Sequence, residues 1–373
     1  MTNTTTKKYL NIRDYLLCVL PILAFVSMQY RVNATLLNAS LIITFFVLIS
    51  IWLLSVNYFT ATDFIILVIN ILSLLITIAF FPGTGVALNF LNLLLCFMIF
   101  NKVGFSEKAV TITRLMLIVG ILSFLITSTY SIEWDWVSFY DKNGSLINNN
   151  TVSLILVALY IHLSTFLLKK KKKWRYILVI GLFAFCVVSV NVLGCRSAML
   201  FFLLYSILIL LRKKILEREK SVRKLCIVFL IISFCLPIVY LFLYNQIGNF
   251  EIMGKSFFSG REKVWSEAYQ QIKISPLFGS GTEFVIDYGK DVTESTHNML
   301  LGLWKNLGII PMISVICFYA LNNRPKTETN VIISIIAITS IACFESFLMD
   351  SRLYLLFLLA FPGSTNTLSI DKK

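Results

Sequence analysis

Residues 225–244 read LCIVFLIISFCLPIVYLFLY, and residues 245–273 continue NQIGNFEIMGKSFFSGREKVWSEAYQQIK. The first stretch carries no charge over the length that crosses the hydrocarbon core of a bilayer, about 20 residues. The second is polar and mixed in charge. An apolar helix that belongs in lipid therefore hands over to a long segment that does not. Runs of the first kind recur on both sides, from Tyr15 to Phe361, with short polar breaks between them. The spacing predicts helices over 15–30, 36–54, 64–81, 85–100, 110–129, 151–168, 176–194, 197–211, 225–244, 298–320, 331–349 and 352–366. The expected fold is all-α: one polytopic membrane domain over residues 1–373, about twelve transmembrane helices, and one long outward loop at 245–297.

Composition agrees. Of 373 residues, 58% are hydrophobic and 14% charged, whereas a soluble domain carries roughly a quarter charged residues. The formal net charge of +14 invites a nucleic-acid partner, but its distribution argues against one. With the N-terminus in the cytoplasm, Lys102, Lys108, the basic run 169–173 with Arg175, the stretch 212–224, Arg324, Lys326, Lys372 and Lys373 all fall inside. The outside breaks, 81–85 and 133–150, are poor in Lys and Arg. This is the positive-inside pattern, and it puts both termini in the cytoplasm. The first apolar run follows Lys7, Lys8 and Arg13 like the start of a signal sequence, but no small-x-small site follows, so it reads as a retained helix. The eight cysteines sit in or beside apolar runs with no CxxC spacing, which predicts neither a disulfide framework nor a metal site.

The long loop departs from the outside pattern, holding Lys255, Arg261, Lys263, Lys273 and Lys290. Either it meets an anionic ligand, or these bases offset Glu262, Glu267, Glu283, Asp287, Asp291 and Glu294. Within it, residues 261–274 form an amphipathic helix with Val264, Trp265, Ala268 and Ile272 on one face. That face can lie on the membrane surface or pack on the bundle. Phe278-Gly279-Ser280-Gly281 is a tight turn, not a nucleotide fingerprint, because the flanking strand and helix are missing.

Few residues can carry chemistry. His297 ends the loop where the next helix begins, and histidine is the side chain suited to proton transfer near neutral pH. His162 lies toward the cytoplasmic end of its helix and reads as interfacial. Arg196 stands between two apolar runs at their outer ends, where it must snorkel, pair or bind a ligand. Guanidinium forks match phosphate oxygens, and Arg261 lies on the same side. Arg114 reads as a snorkelling residue near an inner helix end. Glu345 and Asp350, near Arg352, read as ion-paired or substrate-contacting. No HExxH motif, metal-ligand cluster or glycosidase carboxylate pair occurs, so no metal or other cofactor is expected.

Taken together, Gly260-Arg261-Glu262-Lys263-Val264-Trp265, then Ser275-Pro276-Leu277-Phe278-Gly279-Ser280-Gly281, then His297-Asn298 resemble the O-antigen ligase and polysaccharide polymerase superfamily. Members share G-R-x-x-x-W, an S-P-x-x-G-x-G turn and an H-N pair. They also share an arginine with leucine four positions on (Arg196, Leu200) and a glycine eleven after the histidine (Gly308). Residues 147–152 resemble the family's N-P-N-T element, with Asn149 replacing the proline. The resemblance implies a glycosyltransferase-C-like bundle in a bacterial cytoplasmic membrane. It implies a metal-independent, inverting enzyme using a polyprenyl-diphosphate-linked oligosaccharide donor and a sugar-hydroxyl acceptor on the outer face. Arg196 and Arg261 would bind the diphosphate and His297 would be catalytic, with Asn298, Trp265 and Glu345 as further substrate contacts. The expected protein partners are a flippase and a chain-length regulator. Within the family, the 147–152 element favours a polymerase over a ligase. A lipid-oligosaccharide transporter is the reading from another class, disfavoured by helix centres nearly free of charge.

Overall fold

The computed structural model describes residues 11–30, 33–81, 85–133, 136–141, 144, 146–168, 174–211, 219–248, 251–252, 255–256, 260–281, 284–287, 291–294, 296–320, 329–343 and 345–363. The basic run 169–173, residues 212–218, Lys290, Arg324, Lys326, the terminal lysines and the Arg196 side chain lie outside the described residues. Among the described residues the chain is a helical membrane protein. Seven helices are long and apolar enough to cross a bilayer.

The first five helices are α1 (Ile12–Gln29), α2 (Ala34–Leu53), α3 (Ala61–Phe80), α4 (Gly85–Lys102) and α5 (Glu107–Thr127). Side-chain caps start several of them: Asn11 accepts from the Asp14 amide, Asn33 from Leu36 and Ser106 from Ala109. These three runs begin where a polar side chain can take an orphan backbone donor. A three-stranded antiparallel sheet, β1 (Thr129–Glu133), β2 (Trp136–Tyr140) and β3 (Leu146–Ile147), fills the break before the next helix. Then come α6 (Asn149–Leu168), α7 (Trp174–Leu193), α8 (Arg196–Leu210) and α9 (Glu219–Ile247). The Asn-rich element lies at the start of α6. The Asn148 Oδ1 accepts from the Asn150 amide at 2.8 Å, and Asn149 is the first helical residue. A proline is tolerated at that position because its missing N–H would be an orphan anyway.

The described parts of 245–297 hold regular elements. Two hairpins, β4 (Glu251–Ile252) with β5 (Lys255–Ser256) and β6 (Phe284–Asp287) with β7 (Asp291–Glu294), flank α10 (Arg261–Ile274). Val264, Trp265, Ala268 and Ile272 are buried as the periodicity predicts, against Leu301 and against Leu236, Tyr240 and Leu241 of α9. Of the two fates open to that face, packing on the bundle is the one adopted.

Three expected helices differ. The helix over 298–320 breaks into α11 (Met299–Leu307) and α12 (Ile309–Ala320) at Gly308, whose φ is 90°. A Cβ there would sit 1.9 Å from the Leu277 carbonyl oxygen. The helix over 331–349 stops early as α13 (Thr329–Ala342), followed by a 3-10 turn. The helix over 352–366 contracts to α14 (Tyr354–Leu358). The last two leave irregular backbone deep in the bundle, which a bilayer tolerates only where protein supplies the partners. Side chains do so here. The His162 ring nitrogen Nε2 lies 2.7 Å from the Leu356 carbonyl, and the Arg114 guanidinium is 3.5 Å from that of Pro362. Both side chains are buried, so neither His162 at an interface nor Arg114 snorkelling describes them. They serve the backbone of the terminal segment.

Candidate functional site

Glu345 follows the end of α13. It is the one charged residue in the apolar run 331–349, and its side chain is buried. Three other segments bring donors to it. Ser197, second residue of α8, donates from Oγ to Oε1 at 2.8 Å. Arg261, first residue of α10, donates from Nη2 to the same oxygen at 3.4 Å. His297, just before α11, places Nδ1 3.2 Å from Oε2. Residues separated by up to 148 positions thus meet on one carboxylate.

The electrostatics follow from this geometry. Burial raises the pKa of a carboxyl. The hydrogen bond and charge of His297, the Arg261 guanidinium and the Ser197 hydroxyl outweigh it, holding Glu345 below its ordinary value. An ionised carboxylate only accepts, so His297 Nδ1 carries the hydrogen that faces it. In the neutral ring the lone pair then resides on Nε2. The helices contribute as well. Ser197 and Arg261 stand in the first turns of α8 and α10, where the positive ends of the helix dipoles favour negative charge.

His297 is held in a rare conformation. Its φ of 47° makes it the one non-glycine residue with positive φ among those described. Such a conformation costs free energy and persists where the surroundings over-determine it. They do so here. Trp265, fully buried, donates from its indole nitrogen to the Thr296 carbonyl at 2.7 Å and packs edge-on against Tyr240 at 4.7 Å. Thr296 Oγ1 donates to the Asn298 carbonyl at 2.9 Å. Asn298 caps α11 by accepting from the Leu301 amide at 2.9 Å. Its amide nitrogen donates to the carbonyls of Ser233 at 2.7 Å and Cys343 at 3.0 Å. Trp265 and Asn298 therefore fix the histidine from both sides, with their polar atoms engaged by protein.

The sequence reading put Arg196, Arg261, His297 and Glu345 among its candidates. The structure gathers Arg261, His297 and Glu345 into direct contact, and the backbone of Arg196 opens the helix whose next residue bonds Glu345. Asp350 pairs with Arg352 at 2.7 Å, as the ion-pair reading has it. Ser197 was missed, since a serine after an arginine carries no signal of its own. Glu345 was read only as one of two acidic residues at an outer helix end, ion-paired or substrate-contacting, and its place as the hub was not legible. Among the described residues no group of three or more His, Cys, Asp and Glu side chains is arranged to hold a metal ion.

The second motif block acts differently. The turn 275–281 clamps the far end of α11. The Ser280 amide donates to the Lys305 carbonyl at 2.7 Å and the Gly281 amide to Asn306 at 2.9 Å. A Cβ on Gly279 would come within 2.5 Å of the Asn306 backbone. The glycines permit backbone to lie on backbone.

Residues 181–316, just over a third of the chain, match the family model described as O-Antigen ligase. The match runs from α7 to α12, covering Arg196, Ser197, Arg261 and His297 but not Glu345. No curated protein and no solved structure matches the chain.

Proposed function

We propose that the chain, whose residues 181–316 match the O-Antigen ligase family model, transfers a glycan from a polyprenyl-diphosphate carrier to a sugar hydroxyl. The reaction takes place on the outer face of a bacterial cytoplasmic membrane, in a glycosyltransferase-C-like bundle with both termini inside. The observation that carries this reading is the Glu345 hub, which gathers a histidine and an arginine beside the start of α8, where Arg196 stands.

The chemistry follows. His297 Nε2 takes the proton of the acceptor hydroxyl. The hydroxyl oxygen forms a bond to the anomeric carbon as the bond from that carbon to the diphosphate oxygen breaks. The electron pair of the broken bond leaves on the diphosphate. Attack opposite the leaving group inverts the configuration. Arg196 and Arg261 stabilise the charge of the departing diphosphate, and the N-termini of α8 and α10 add to them. Ionised Glu345 stabilises the imidazolium that forms and sets its tautomer, as the carboxylate of a Ser-His-Asp triad does. A metal has no required role in this scheme.

The polymerase reading is preferred, with a lipid-linked repeat unit as acceptor and a flippase and chain-length regulator as partners. It draws on the 147–152 element. Deleting the gene tests it: a polymerase mutant still caps its final acceptor with single repeats, whereas a ligase mutant leaves the acceptor bare. The chemistry is tested with purified protein and a lipid-diphosphate glycan, scoring release of polyprenyl diphosphate. Arg196→Ala, Arg261→Ala and His297→Ala should each abolish release while inserting normally. Near-normal release by all three would remove the assignment.

A further inference from the structure

The apolar face of α10 is covered by protein, so it is not what the helix offers to lipid. The C-terminal end is another matter. Ile274 is 83% and Leu277 55% exposed, and both stand at the elbow where α10 turns back toward the bundle.

A contact of the Thr77 hydroxyl ties that elbow to the end of α3. Thr77, in the last turn of α3, donates from Oγ1 to the Phe278 carbonyl at 2.8 Å. The neighbours of Thr77 on the outward side of α3 are Ile76, Ile78 and Phe80, the last 70% exposed. These belong to a membrane-spanning helix that is apolar to its end. The elbow therefore sits level with lipid-facing surface rather than above it.

The backbone agrees. Besides Thr77, the elbow is bonded by the Ile309 amide and the Trp304 indole, at 3.2 Å and 3.0 Å from the Pro276 carbonyl. The Gly279 amide donates to Ser275, and those of Ser280 and Gly281 to α11. Backbone at the hydrocarbon boundary must take its partners from protein, as these groups do. Lys273, exposed on the adjoining turn, has the reach to place its ammonium in the headgroup layer.

We propose that residues 273–277 form a membrane contact: Ile274 and Leu277 enter the acyl chains of the adjacent leaflet, and Lys273 meets its phosphates. α10 is then anchored at both ends, by lipid at its C-terminus and by Glu345 through Arg261 at its N-terminus. The contact is independent of the proposed reaction.

Bimane labels at Ile274→Cys, at Leu277→Cys and, as a control on the polar face, at Gln270→Cys report on it. They are placed in a cysteine-free background that remains monodisperse, in nanodiscs carrying phospholipid with a shallow nitroxide. The expected result is several-fold stronger lipid quenching at 274 and 277 than at 270, with iodide giving the reverse order. Equal iodide quenching at all three sites would overturn the proposal by putting the elbow in water. Protection of 274 and 277 from both quenchers would overturn it by showing protein as the cover.

Discussion

The two ends of α10 carry the two densest motif blocks of the chain, and they use their residues in opposite ways. At the N-terminal end, side chains do the work: Arg261 reaches Glu345, and Trp265 holds the strand leading to His297. At the C-terminal end, backbone does the work. Gly279, Ser280 and Gly281 lie against the last turn of α11, and Gly308 lies against Leu277. Because α11 runs from just after His297 to just before Gly308, the clamp at one end bears on the position of His297 at the other. Motif density in a sequence therefore does not by itself mark contact with substrate.

The largest effect should come from the clamp. Gly308→Ala puts a Cβ against the Leu277 carbonyl oxygen, in backbone with φ of 90°. We expect a loss of about 3 kcal/mol or more, read as collapse of the monodisperse fraction in size-exclusion chromatography. Activity should fall only in proportion to folded protein. A normal elution profile with lost transfer would reverse the assignment of the two ends.

Next comes His297→Ala, which should lower transfer by at least about a hundredfold with an unchanged elution profile, the span of general-base effects. Arg261→Lys should keep the charge but recover little activity, because an ammonium cannot replace a fork that faces both Glu345 and a phosphate. Full activity in the lysine variant would mean that only charge matters there.

Glu345→Gln should cost about ten- to a hundredfold in transfer, roughly 1.4–2.7 kcal/mol in the barrier, because the imidazolium loses its counter-charge. It also has a pH signature. The folded-state pKa of Glu345 lies below the ordinary 4.5, so its stabilising contribution is complete above that value and is lost as pH falls through the lower folded value. The difference in Tm between wild type and variant should thus be constant near neutrality and shrink in acid. A difference that grows in acid would mean that the carboxyl is protonated in the fold.

The smallest effect is expected at the opposite end of the helices. Lys102 pairs with Asp63 there, the lysine being partly exposed. Lys102→Met should change stability by at most about 1 kcal/mol and leave transfer unaltered in the same release assay.

Much of this was written in the chain. The apolar runs located the helices, because a bilayer admits few other spanning structures. The periodicity of residues 261–274 gave α10 and the four residues it buries. The mixture of charge, an odd histidine and an arginine between apolar runs picked out Arg196, Arg261 and His297 as candidates. What hydropathy cannot register is a break in a helix whose cause lies elsewhere. The break at Gly308 cannot be read until Leu277 is laid beside it, and residues 352–366 read as a full helix until His162 and Arg114 are seen holding the carbonyls of Leu356 and Pro362.

Sequence by itself determined the class of fold, the course of most helices and the short list of chemically able residues, since each of these depends on local composition and period. Only the tertiary structure decided that Glu345 is the point at which Ser197, Arg261 and His297 converge, and that Asp350 with Arg352 stands apart. Those pairings join residues up to 148 positions distant, and which acid meets which base at that separation depends on helix packing, which no local pattern encodes.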